Sequence, residues 1–146
     1  MRAVIQRVKS ASVVVDGQVK GRIGRGLLIL AAVHRDDDEA QLRWIADKIL
    51  KLRVFNDENG KMNRSVTDEN GELMVVSQFT LYGDTRKGTR PSYIESAPPE
   101  KAEKMYNDLV TCLRENSDLK VQEGVFGAMM EVSLVNDGPV TIILDR

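Results

Sequence analysis

The chain has 146 residues, with 21 basic against 22 acidic side chains, one histidine and a formal net charge of −1. This length suits one domain with a real hydrophobic core and no internal boundary. The even charge balance excludes a general attraction to polyanions, so any contact with nucleic acid has to be local.

Ala3 to Val15 is rich in Val and Ile and predicts a strand, with Asp16-Gly17 as the hairpin turn into a second strand, Gln18 to Ile23. Leu27 to Val33 is a short apolar run between Gly24-Arg25-Gly26 and His34-Arg35, which predicts a strand buried on both faces. Asp36 with Glu39 reads as a capping box. Leu42, Ile45, Ile49 and Leu52 then recur at helical spacing. Asn59-Gly60 and Asn70-Gly71 bracket a polar excursion, and Leu73 to Leu81 follows as a buried strand. Thr85 to Tyr93 reads as a loop. Pro98-Pro99 opens a second helix with Ala102, Met105, Leu109 and Leu113 on one face. Val121 to Phe126, Met130 to Val135 and Val140 to Leu144 predict three further strands, giving the order ββ(βα)(βα)βββ with no repeats and no low-complexity linker.

Several chemistries are excluded by what the chain lacks. A single cysteine, Cys112, cannot form an internal disulfide, and with one histidine it cannot make a zinc finger, so no metal is expected. Cys112 falls in a helical pattern and reads as a small buried hydrophobe. No apolar run matches a signal peptide or a membrane span, which predicts a cytoplasmic protein without a membrane partner. His34 sits between an apolar strand and the acidic run Asp36-Asp37-Asp38-Glu39, a poor place for the base of a Ser-His-Asp triad. His34-Arg35-Asp36 spells a kinase tripeptide, but no glycine-rich loop accompanies it.

Two segments carry the functional reading. Ser77-Gln78-Phe79-Thr80-Leu81-Tyr82-Gly83-Asp84 places hydroxyls and amides at the end of a buried strand. Backbone N–H groups released from the sheet there can converge on a developing oxyanion. Thr80 could act as a nucleophile or orient water, but no obvious base lies near it in sequence. Taken alone, the segment reads more simply as Ser77 and Thr80 satisfying strand-end hydrogen bonds. The second segment is Asn136-Asp137-Gly138-Pro139-Val140-Thr141, by its residues a turn between two strands. Arg86, Lys87 and Arg90 put three cations in five residues just after the first segment, a pattern suited to phosphates or simply to a solvated loop. Arg2, Arg7 and Lys9 could extend that basic surface.

Together, the two segments resemble the paired signatures of the D-aminoacyl-tRNA deacylases, and the resemblance extends over the whole chain. It implies an α/β domain of β/β/α layers with two helices on one side, acting as a homodimer that hydrolyses the ester of D-aminoacyl-tRNA, and of glycyl-tRNA, while sparing L-aminoacyl-tRNA. In that reading Ser77, Gln78, Phe79 and Thr80 line the hydrolytic pocket. Gly138 and Pro139, joined by a cis peptide bond, enter the partner's pocket as a chiral filter. Phe126 and Met130 match a segment lining the same pocket, or they are core. Arg86, Lys87 and Arg90 resemble the family's basic loop and would meet the tRNA. No cofactor and no DNA are implied. The competing expectation is a non-catalytic RNA-binding or ribosome-associated β-domain, and a generic esterase is a third.

Overall fold

The fold, a computed structural model describing residues 1–146, is organised around one long strand, β1 (Arg2–Val15). Asp16 and Gly17 take φ of 50° and 74° and turn the chain tightly into β2 (Gln18–Ile23), with Val15 opposite Gln18. That left-handed pair is what an Asp-Gly turn supplies at low cost. β3 (Gly26–Ala32) returns antiparallel to the first half of β1. β6 (Glu72–Ser77) and β7 (Val121–Glu123) then add in parallel, β6 on β3 and β7 on β6. β8 (Glu131–Asp145) runs antiparallel along the other edge of β1. Where β3 meets β6 the backbones come so close that a Cβ on Gly26 would lie 1.8 Å from the Glu72 carbonyl, so only glycine fits. A small hairpin of β4 (Phe55–Asn56) and β5 (Met62–Arg64) stands apart.

Two helices, α1 (Glu39–Lys51) and α2 (Pro99–Glu115), cover one face of β3 and β6. Leu27, Ile29, Ala31, Leu73 and Val75 point into that core with Ile45 and Ile49 of α1 and Leu109 and Leu113 of α2. The alternate residues Leu28, Met74 and Val76 point the other way, against Ala11 and Val13 of β1 and Ile23 of β2. Strict alternation along two strands thus builds two cores, and the expected β/β/α layering follows. Each fully buried Leu or Ile contributes about 1.5–3 kcal/mol of transfer free energy, so both layers matter to stability. β1 serves both cores, with Ala3 and Ile5 in the helix-facing one.

Several sequence expectations are corrected. The capping box is Asp38 with Gln41, not Asp36 with Glu39, and α1 begins two residues later than that pairing implies. Asp37, just before it, is buried with its carboxylate on the Met1 ammonium and on the backbone N–H of His34, each at 2.6 Å. The strand expected to reach Leu81 stops at Ser77, and Phe79–Tyr82 form a 3-10 turn instead. The polar excursion holds the β4–β5 hairpin, and the strand from Val121 ends at Glu123. The last two predicted strands are one, because β8 continues through Gly138-Pro139 rather than turning there. Arg7 is not surface charge: it is 8% exposed.

Candidate functional site

β3, β6 and β7 are parallel, and their C-terminal ends open on one rim, where ligands of such sheets generally bind. Ser77 closes β6 half-buried, and Gln78 donates its N–H to the Ala31 carbonyl at 2.7 Å before leaving the sheet. The turn that follows satisfies its own carbonyls only in part. Leu81 donates to Gln78 O and Gly83 to Thr80 O. Two carbonyls of the turn also take side-chain donors from elsewhere: Ser96 Oγ donates to Phe79 O at 3.1 Å, and Arg2 Nη1 to Leu81 O at 2.9 Å. The N–H groups of Phe79 and Thr80 begin the turn and take no backbone acceptor, and Gln78 makes no side-chain cap to them. They are the orphan donors that any helical start leaves. The Gln78 amide instead donates to Thr80 Oγ1.

Thr80 makes no hydrogen bond to a carboxylate or to the imidazole. His34 Nε2 is engaged with Glu95 Oε2 at 2.8 Å, its Nδ1 accepts from the Asp36 N–H, and its ring lies edge-on to Tyr82 at 5.2 Å. The Arg2 guanidinium lies over the Tyr82 ring, 4.8 Å from its centroid. Burial pushes the Tyr82 phenol well above its ordinary pKa, so it stays neutral under all ordinary conditions.

Phe126 and Met130 come to the same rim. Phe126 packs on Tyr106, whose hydroxyl donates to Val75 O at 2.9 Å, and Met130 crosses to the second core, its sulfur taking the Val125 N–H at 3.4 Å. Both are half-buried, so they pack the core and border the rim at once. Arg86 is folded onto Asp84 by two side-chain hydrogen bonds, whereas Lys87 and Arg90 are exposed without an ion pair.

Gly138 and Pro139 are exposed, joined by a cis peptide bond, and lie elsewhere. Gln6 pairs with Thr141 and Val8 with Asn136, so the four residues Asp137 to Val140 stand opposite the single residue Arg7. The guanidinium fills the space beneath: Nε donates to Asp137 O at 3.1 Å, Nη1 to Val54 O at 2.5 Å, and a Cβ on Gly138 would lie 2.8 Å from Nη2. Asn136 Oδ1, at the foot of the bulge, is buried without a partner. Arg7 faces Leu27, level with Leu73, while Ser77 lies four residues further along and, counted from Gly138-Pro139 on β8, three strands away. Along the sheet that is roughly 20 Å from strand spacing and rise. The structure therefore brings Ser77, Gln78, Phe79, Thr80, Phe126 and Met130 to one rim and leaves Gly138-Pro139 apart from them.

Two clefts, of 590 Å³ between α1 and α2 and of 360 Å³ around Arg2, His34 and Tyr82, include none of Ser77 to Thr80. Neither cleft reaches the rim. Sequence reading missed Ser96 and the anchoring roles of Arg2 and Arg7, whose partners are carbonyls distant in sequence; no local signal marks such contacts.

The architecture, a mixed sheet carrying two helices, matches the solved structure of a probable eukaryotic D-amino acid tRNA deacylase with a TM-score of 0.81 over 99% of this chain and 98% of that one, at 17% identity. A second solved structure, described as c-Myc DNA Unwinding Element Binding Protein, matches with a TM-score of 0.95 and 43% identity over 100% of this chain and 99% of that one. The chain belongs to the D-Tyr-tRNA(Tyr) deacylase family, whose model matches residues 4–145. A relative from Thermosipho africanus named D-aminoacyl-tRNA deacylase is 60% identical over 145 residues, covering 99% of this chain and 97% of its own. One of the same name from Halothermothrix orenii is 57% identical over the same shares.

Proposed function

We propose that the protein hydrolyses the ester linking a D-amino acid to the terminal ribose of tRNA, releasing the free amino acid and tRNA. The observation that carries this reading is the pair of unpartnered N–H groups at Phe79 and Thr80, on the rim where the family signature falls. Water adds to the ester carbonyl, the two N–H groups stabilise the oxyanion, and the ribose oxygen leaves with a proton. The neighbouring ribose hydroxyl can help carry that proton. The ester is already reactive, so positioned donors suffice without a strong protein base. Ser77, Gln78, Phe79 and Thr80 form the ester site, with Phe126 and Met130 beside it. Of the three cations Arg86, Lys87 and Arg90, the first is held by Asp84, and Lys87 and Arg90 meet the phosphates of the tRNA.

The site is completed by a second copy of the chain. The separation of Gly138-Pro139 from its own rim supports a filter acting in trans. The outer edge of β8 has no strand partner, and Leu134, Val135 and Ile143 are exposed on it, which supports a dimer. The filter blocks the space of an L side chain, which makes the enzyme a chirality proofreader that also clears glycyl-tRNA. No helix is long and apolar enough to cross a membrane, and the substrate is met in the cytoplasm.

The name of the relative described as binding DNA favours one second reading, a nucleic-acid binder without chemistry. A turnover assay separates the two. Protein at substoichiometric concentration must release D-tyrosine from D-tyrosyl-tRNA over many turnovers, whereas retention of tRNA without release would leave only the binder.

A further inference from the structure

Beside the candidate ester site lies a surface that the reaction does not use. Asp84 and Ser92 bridge through two backbone hydrogen bonds of 2.8 and 2.9 Å, closing an arch of exposed residues from Thr85 to Pro91. Arg86 is spent on Asp84, but Lys87 and Arg90 project from the arch with no partner in the chain. At the foot of the arch Tyr93 meets Phe79 edge to face, with ring centroids 5.1 Å apart. Behind the Tyr93 ring runs the Gly83 backbone, where a Cβ would come within 3.1 Å of Cε1, so the ring is fixed in place. Both this residue and the next reach solvent: Tyr93 is 38% and Ile94 69% exposed. Two residues on, Ser96 ties the same segment back to the Phe79 carbonyl.

An exposed ring and an exposed isoleucine are costly to leave in water, and their neighbours narrow what covers them. Free cations beside open apolar faces fit a single-stranded nucleic acid, whose phosphates and unstacked bases take the two in turn. A duplex hides its base faces and would use the cations alone. We infer that Tyr93 and Ile94 stack the unpaired bases that precede the ester-bearing terminal nucleotide, with the intervening phosphates on Lys87 and Arg90. The inference rests on the Ser77–Thr80 turn being the ester site, because that fixes where the strand ends and so which nucleotides pass over Tyr93.

The test uses three D-tyrosyl esters, on adenosine, on the 3′-terminal trinucleotide and on full tRNA, with the wild-type protein, Tyr93→Phe and Tyr93→Leu. Stacking of one base predicts that extension from adenosine to trinucleotide lowers KM roughly tenfold for wild type and Tyr93→Phe. It predicts little gain for Tyr93→Leu, each gain being taken relative to the same variant's own adenosine ester. A non-esterified trinucleotide with 2-aminopurine before the terminal base reports stacking without turnover, its fluorescence being quenched by wild type and Tyr93→Phe and not by Tyr93→Leu. No gain on extension in the wild type, or an equal gain in Tyr93→Leu, overturns the inference and leaves the ester site intact. A fall in oligomeric state of Tyr93→Leu or Ile94→Ser in sedimentation velocity also overturns it, because the surface then belongs to a second copy. Absence of all hydrolysis with quenching retained removes the ester-site reading while the stacking surface stands.

Discussion

Arg7 and Asp137 face each other across β1 and β8 with one residue opposite four, and the Arg7 guanidinium enters the gap between the backbones: it donates to Asp137 O at 3.1 Å and lies 3.5 Å from the Asp137 carboxylate. Replacement by Met keeps the apolar stem but strands two carbonyl acceptors, Val54 O and Asp137 O, at about 1–3 kcal/mol each. Arg7→Met should therefore lower the urea midpoint by the equivalent of about 2–6 kcal/mol with no change in m. It should also degrade the ratio of D- to L-tyrosyl-tRNA hydrolysis, because the bulge loses its support. Arg7→Lys restores charge without the planar fork and should fall between. A destabilised protein that discriminates as well as its parent would show that the bulge is only structural.

Thr80 shares its hydroxyl with the Gln78 amide, and the one imidazole of the chain is committed to Glu95. Neither hydrogen bond supplies a base to Thr80, which favours a positioning role over a nucleophilic one. Thr80→Ala should keep measurable deacylation in single-turnover kinetics, since the N–H groups of Phe79 and Thr80 do not depend on the side chain. Complete loss in a folded variant, or an acyl ester trapped on Thr80, would refute positioning.

Selection by exclusion makes a prediction about the substrate with no side chain at all. Glycyl-tRNA presents nothing to exclude and should be hydrolysed, while L-tyrosyl-tRNA is spared. If glycyl-tRNA resists enzyme levels that clear D-tyrosyl-tRNA, the pocket recognises a D side chain directly.

The side-chain hydrogen bond from Arg86, followed by its backbone N–H, holds the Asp84 carboxyl down to about 2. The folded value lies below the unfolded one, so the interaction is fully present above the ordinary carboxylate range and is lost as pH falls toward 2. An NMR titration of the Asp84 carboxyl should show no transition between pH 8 and 5. In Arg86→Gln its midpoint should move back up toward that of an ordinary aspartate.

With Arg86 neutralised by Asp84, the sequence's three cations reduce to two for phosphate contact, Lys87 and Arg90. Lys87→Ala and Arg90→Ala should each reduce the slope of log K against log salt for tRNA binding by just under 1, whereas Arg86→Ala changes it less. Equal effects from all three would mean that Arg86 leaves Asp84 on binding.

The sequence was most readable where one pattern governed one element. Leu27 to Val33 has no polar residue before His34, and a strand sandwiched between two cores needs none. Asp16-Gly17 fixed the hairpin through backbone conformation alone. The errors fall where a local signal met a distant partner. Gly138-Pro139 is a strong turn signal, but β1 pairs on both sides of it and carries the strand through. Asp36 and Asp38 are both capping residues by type, and the choice falls to Asp38 because the backbone N–H of Asp37 turns back to the His34 carbonyl at 3.1 Å and its carboxylate is taken by Met1. Arg7 looked like one of several surface cations, and only the bulge opposite explains its burial. At the rim the residue types were legible, whereas the side chains that hold the turn, Ser96 and Arg2, reach it across 17 and 79 residues of sequence.

β1 places Ala3 and Ile5 in one core and Ala11 and Val13 in the other without a break in the chain. A strand shared in this way couples the two halves mechanically: the helical layer cannot melt while the β-layer stays docked, since the same backbone must be released from both. Cooperativity is thus written into a single segment, and loss of protection in native-state hydrogen exchange should reach Ile5 and Val13 at one common free energy of opening.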